Sequence, residues 1–128
     1  MTLNEFYGNQ NQRWILMYKG TRDGFTPTRF HQACDGKGPT ITVFQSQQGG
    51  YLFGGYTSIP WSSQNAVKAD SKAFLFTLTN PHNLPATKFH IDKTNPHNAI
   101  THTPNTGPTF GDDFFGGFGD FQGEMCGL

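Results

Sequence analysis

Charge is scarce in this 128-residue chain: Asp, Glu, Lys and Arg make up 14% of it, and nine acidic residues balance nine basic ones. Such a surface generates no long-range field to steer nucleic acid, an anionic membrane or an acidic substrate, so none of these is expected as a partner. No apolar run reaches the roughly 20 residues needed to span a bilayer. The start, MTLNEFYGNQNQ, has neither the basic region nor the apolar core of a secretory signal, which predicts a cytoplasmic protein. Cysteine is also rare. Cys34 and Cys126 are too few for a disulfide framework in that compartment, and both are expected as thiols. Gly-x-Ser-x-Gly, phosphate-loop and dinucleotide signatures are missing as well, which removes the main support for a hydrolase or nucleotide-dependent enzyme; no catalytic constellation and no cofactor are expected.

What the chain does have is Phe and Gly, 13 and 16 of them. That mixture suits a sheet protein whose core is made of large rings and whose corners need glycine. One domain fits the length. Leu3 to Tyr7 can form a helical turn ended by Gly8, and residues 1–12 read as a linker or short N-terminal helix. An apolar run predicts a strand at Trp14 to Lys19, apolar enough on both faces to be central. Thr26 as cap and Pro27 at the first helical position predict a helix over Pro27 to Cys34, stopped by the Asp35–Pro39 cluster of Gly and Pro. Thr40 to Ser46 alternates, and the QQGG connection joins it to a strand at Tyr51 to Thr57 in a hairpin. Within that second strand Gly54 and Gly55 imply a bulge or a close backbone approach, and Trp61 is expected to cover the sheet corner. A polar loop, Ser62 to Asp70, leads to the strand KAFLFTL, where Phe74, Phe76 and Leu78 take one face and Ala73, Leu75 and Thr77 the other. Shorter strands follow in TKFHID and NAITH, each after an Asn-Pro-His-Asn turn; beyond Gly111, Phe and Gly mix without a period and predict no element.

Three clusters carry reactive side chains. His31 and Cys34 lie three apart on the predicted helix, where an imidazole could lower a thiol pKa; the competing reading makes Cys34 a small core residue. His82, His90, His97 and His102 match no standard zinc spacing, and two of them sit in Asn-Pro-His-Asn turns, so no metal is expected. Asp112, Asp113, Asp120 and Glu124 fail a calcium loop because Phe115 and Gly117 stand where oxygen ligands are required.

The stretches WILMYKGTRDGFTPTRFHQACDGKGPTITVFQS, FGGYTSIPW, KAFLFTL and NAITHTPNTGPTFG, in that order, resemble the TLDc domain of oxidation-resistance proteins. The resemblance covers residues 13–111 and leaves 112–128 as a Phe/Gly-rich tail. It implies an α+β, mainly β fold: a two-layer antiparallel β-sandwich with short edge helices. It also implies that Arg22, Asp23 and Gly24 before the helix, and Asp35 and Gly38 after it, are architectural corners, as Gly54, Gly55 and Trp61 are read to be. Members of the family protect against oxidative damage, several bind the vacuolar ATPase, and no catalytic mechanism accompanies the domain. In the family, further strands follow the stretch matching GPTFG; here either the tail replaces them or the sheet keeps an edge that another chain can fill.

Three functional readings follow. The first is a non-enzymatic interaction module, with vacuolar ATPase subunits as implied partners, using the 62–70 loop (Ser62, Asn65, Lys68, Asp70) and the turns at His82 and His97. The second is a thiol-based antioxidant using Cys34 with His31. The third is an assembly domain that self-associates through an open sheet edge.

Overall fold

The computed structural model of the chain describes residues 2–90, 100–102, 109–110, 114–115 and 121–127. In order, the elements are α1 (Thr2–Tyr7), β1 (Leu16–Lys19), α2 (Gly20–Asp23), α3 (Pro27–Cys34), β2 (Thr40–Ser46), β3 (Leu52–Thr57), β4 (Ala66–Lys68), β5 (Phe74–Thr77), β6 (Thr87–His90), β7 (Ile100–His102), β8 (Thr109–Phe110), β9 (Phe114–Phe115) and β10 (Phe121–Gly127). They form a six-stranded sheet ordered β1-β10-β2-β3-β5-β6 and a four-stranded sheet ordered β4-β7-β8-β9. All strand pairings in both sheets are antiparallel. The fold is therefore mainly β with a few short helices.

Alternation in the sequence decides which side chains go to which face. Ile41 and Val43 of β2 join Tyr56, Phe74 and Phe76 in one buried cluster, against which Leu3, Phe6, Tyr7 and Trp14 pack. Helix α1 thus covers this face of the larger sheet. It is fastened there by Lys88, whose ammonium donates to the Phe6 carbonyl at 2.7 Å and lies 4.4 Å from the centre of the Phe74 ring. Buried Asn4 donates to the carbonyls of Gln10 and Gln12 and accepts from the Trp14 indole at 2.8 Å, so the Asn/Gln-rich stretch is tied back onto the domain.

The opposite face carries a second cluster: Tyr18, Phe30, Cys34, Trp61, Ala73, Ile100 and Phe110. Here α3 and the smaller sheet, through Ile100 and Phe110, are the covering layer. Both short helices with apolar side chains in these clusters lie on faces of the large sheet, one on each side, which is why β2 has five consecutive buried residues.

Several expectations meet the coordinates closely. Helix α3 spans Pro27–Cys34, with the Thr26 hydroxyl accepting from the Arg29 N–H and Gly36 at φ 73° ending the turn after it. The QQGG turn holds Gly49 and Gly50 at φ 80° and 64°. Others need correcting. The first strand begins at Leu16 and is the outermost strand of its sheet, because β10 inserts between it and β2; Trp14 instead packs edge-on against Tyr7 at 5.1 Å. The Ser62–Asp70 segment is not all loop, since Ala66–Lys68 forms β4 and pairs with β7. Gly20–Asp23 adds a helical turn that no spacing announced.

Of the two alternatives for Gly54 and Gly55, close approach is the one observed, and the β2–β3 register runs on without a bulge. A Cβ on Gly54 would collide with the Thr42 carbonyl oxygen and lie 2.9 Å from the Phe76 ring; one on Gly55 would lie 2.6 Å from the Phe110 ring. Gly54 makes room for the Phe76 ring of the neighbouring strand β5, and Gly55 for the Phe110 ring of the smaller sheet.

Candidate functional site

Two neighbouring segments meet at the surface end of α3. The first runs from Asp35 to Gly38 and the second from Ser58 to Ser63. They are joined by a parallel bridge between Asp35 and Trp61, and the Gly36 N–H donates to the Trp61 carbonyl at 3.0 Å. Gly38 lies so close to the Pro60 backbone that a Cβ there would be 2.9 Å from Pro60 N. Trp61 itself is 1% exposed; its indole donates to the Thr40 hydroxyl at 3.0 Å and meets the rings of Phe30 and Phe110 edge-on at 5.6 and 5.5 Å. Its role is to fill the space between α3 and the two sheets.

The polar groups of this corner are committed to one another. The Asp35 carboxylate accepts from the His31 Nδ1 at 2.6 Å and from the Ser63 hydroxyl at 2.7 Å. A carboxylate only accepts, so Nδ1 carries the hydrogen. The order is hydroxyl–carboxylate–imidazole. In acyl-transfer triads the imidazole touches the hydroxyl and takes its proton; here the carboxylate stands between them, and the chain of bonds is a strut from α3 to the loop after Trp61. Cys34 belongs to the core cluster and is fully buried. The side chain of Cys126, in β10, lies outside the described residues.

A second strut pins the other end of the Ser58–Ser63 segment. Asp70 is 5% exposed, yet its carboxylate accepts from the Thr57 hydroxyl, the Ser58 N–H and the Ser58 hydroxyl, each at 2.7 Å, and from the Lys72 N–H at 3.1 Å. Burial pushes its pKa up, but the hydrogen bonds from Ser58, Thr57 and Lys72 outweigh burial and hold the carboxyl below the ordinary aspartate value. Asp70 therefore does not project as an interaction residue; it locks the turn leaving β3. Nearby, burial in the first place, then Tyr7 and Asp70, push the Tyr56 phenol up to about 12.

The corner before α3 is similar in kind. Arg22 makes a two-pronged pair with Asp23, both contacts at 2.7 Å, and Asp23 also accepts from the Lys19 N–H. The Arg22 bonds, with the Lys19 N–H after them, draw the Asp23 carboxyl down to about 2. Gly24, at φ 101°, ends the turn and its carbonyl accepts from the Tyr18 hydroxyl at 2.5 Å.

Beside this corner, among the described residues, a groove of about 580 Å³ is lined by Asp35, Ile59, Pro60, Trp61, Ser63 and Lys68, among others, and a smaller recess of about 290 Å³ is lined by Thr28, His31, Gln32, Asp35 and Ser63. Lys68 and half-buried Ser62 line the groove, while Asn65, exposed at φ 53°, does not. Exposed His82 sits in a turn built by Asn80, whose side-chain oxygen accepts from the N–H groups of His82 and Leu84. His97 lies outside the described residues. Among the described residues no group of three metal-ligating side chains converges. The groove was not legible in the sequence because β4, which contributes Lys68 to it, reads as polar loop.

The TLDc domain model matches residues 1–121. The chain is 31% identical over 65 residues to MTOR-associated protein MEAK7 of Danio rerio, a stretch covering 51% of this chain and 14% of that protein. Over 67 residues it is 28% identical to the Mus musculus protein of the same name, covering 52% and 14%. The match thus spans about one-seventh of the length of either relative. With the match covering residues 1–121 of 128, the chain belongs to the TLDc domain family.

Proposed function

We propose that the chain is a protein-interaction module that works by surface contact and not by catalysis. One observation carries this reading. The large hydrophobic side chains exposed among the described residues are Ile15, Leu16, Val67, Leu84 and Phe89. Each lies in or close to β1, β4 or β6, which are terminal strands of their sheets. Terminal strands with apolar side chains in water are the places where a sheet accepts another chain. The carboxylates and imidazole at the corner, by contrast, are occupied in holding segments together.

The family supplies the finer expectation: vacuolar ATPase subunits as the partner and protection against oxidative stress as the context, in the cytoplasm. The name of the vertebrate relatives, mTOR-associated, favours a protein partner in general. A pull-down with the purified chain from a lysate containing the proton pump is expected to recover its stalk subunits; repeated recovery of none would count against this partner. The same exposed edges support a second reading, self-association, for which light scattering across a concentration series should show mass rising with concentration. A thiol-based reading predicts rapid alkylation of Cys34 near neutral pH in the folded chain; burial of that side chain favours slow modification.

A further inference from the structure

The three outer strands that carry exposed apolar side chains differ in what surrounds them. β4 is bordered by the 580 Å³ groove, through Lys68. Along β4 the side chains alternate: Val67, 48% exposed, takes one face, and Ala66 and Lys68 take the other. The groove wall beside Lys68 is apolar where Ile59, Pro60 and Trp61 form it.

Its charged groups are unequally engaged. Both carboxylate oxygens of Asp35 are bound, by His31 and Ser63. Lys68 is a half-buried residue, and its ammonium has no hydrogen bond or ion pair with any described residue. The Asp35 carboxylate on the groove lining keeps its charge but has both oxygens engaged, so Lys68, beside the apolar wall, is the charged group available to an incoming carboxylate.

We propose that an acidic, extended segment of a partner protein docks here by adding a strand to the outer edge of β4. Its main chain pairs with the edge, and its side chains alternate across the new strand. On the groove side, an Asp or Glu reaches Lys68, and an apolar side chain two residues away rests against Ile59, Pro60 and Trp61. On the other side, a β-branched residue covers Val67. The inference rests on the interaction-module reading and gives that module a surface and a partner chemistry. β4 is three residues long, so the added strand contributes few hydrogen bonds and the Lys68 pair decides selectivity.

The probe is the peptide Thr-Glu-Val-Phe-Thr, blocked at both ends, titrated into the isotopically labelled full chain. Expected are amide shift changes centred on Ala66–Lys68, slower exchange of amides in β4, and affinity about tenfold weaker for Lys68→Glu, the effect of losing one charge-assisted contact. A peptide with Lys in place of Glu should prefer the Lys68→Glu chain. Lys68→Met, which keeps the stem, should weaken the acidic peptide without reversing the preference. Shift changes confined to β1 or β6, no changes at all, or equal binding by both variants would overturn the site. Undiminished recovery of the natural partner by the Lys68→Glu chain would also overturn it, while leaving the interaction module standing.

Discussion

Removing the Asp70 carboxylate should loosen the turn that carries the chain from β3 to Trp61. Asp70 is almost wholly buried and satisfies four donors, of which the Thr57 hydroxyl belongs to a fully buried residue and the Ser58 N–H is part-buried. Stranding a buried donor costs roughly 1–3 kcal/mol. In Asp70→Asn one side-chain oxygen remains. The cheapest arrangement turns it toward Thr57 and Ser58 N–H and leaves the Lys72 N–H, on an exposed residue, to water. A loss of roughly 2 kcal/mol is expected for Asn, and roughly 4 kcal/mol for Ala, where every donor loses its acceptor. For a chain of this size the Asn variant should melt roughly 6–10 °C lower. The pH dependence has a definite sign. The folded carboxyl is held below its ordinary value, so the unfolded chain takes up the proton first. Stability from this group is present above the ordinary aspartate value, about 3.9, and is lost as the pH falls through the folded value. Urea denaturation of wild type and Asp70→Asn from neutral to acid pH should therefore give curves that converge on the acid side. An Asp70→Ala chain within about 0.5 kcal/mol of wild type, the size of an ordinary surface change, would refute the reasoning.

Two further substitutions test the layers. Gly55→Ala places a methyl 2.6 Å from the Phe110 ring, so that ring or the strand carrying it must shift. A loss of roughly 1–3 kcal/mol is expected, read by thermal melting, and an unchanged midpoint would show that the ring is not seated there. The Thr42 hydroxyl is buried without a hydrogen-bond partner among the described residues, so Thr42→Val should be neutral or stabilising by up to about 1 kcal/mol in urea denaturation; clear destabilisation would mean that the hydroxyl is bonded.

The legible parts of this fold were those with a local cause. Helix α3 has its cap, its proline and its terminating glycine in sequence, β2 and β5 announce their faces by alternation, and β3 follows from the hairpin connection. The role of Trp61 could be anticipated in outline, because a large ring beside a glycine-rich strand must be covered by something. What escaped depends on partners distant in sequence. Ala66–Lys68 is a strand only because β7 pairs with it, and nothing local distinguishes those residues from loop. Leu16–Lys19 reads as central from its apolar content, but β10 takes the inner position, from a Phe/Gly stretch without period. Asp70 looked like a loop residue because its ligands, Thr57 and Ser58, come from the end of the previous strand. The corner residues Asp35 and Gly38 carried no chemistry that spacing alone could assign; the match to family motifs placed them, and the His31–Asp35–Ser63 strut became visible only in three dimensions.

The account depends on the Phe53–Trp61 segment serving shape: two glycines admit rings from different layers, and Trp61 closes the space under α3. The chain has two tryptophans, so a Trp14→Phe variant that unfolds cooperatively leaves Trp61 as the only indole emitter. Its fluorescence should be blue-shifted, nearly immune to acrylamide, and should move to the red in the same transition that melts the sheet. Water-like emission that acrylamide quenches freely in the folded variant would put the ring at an open surface, and the two layers would then lack the contact that joins them.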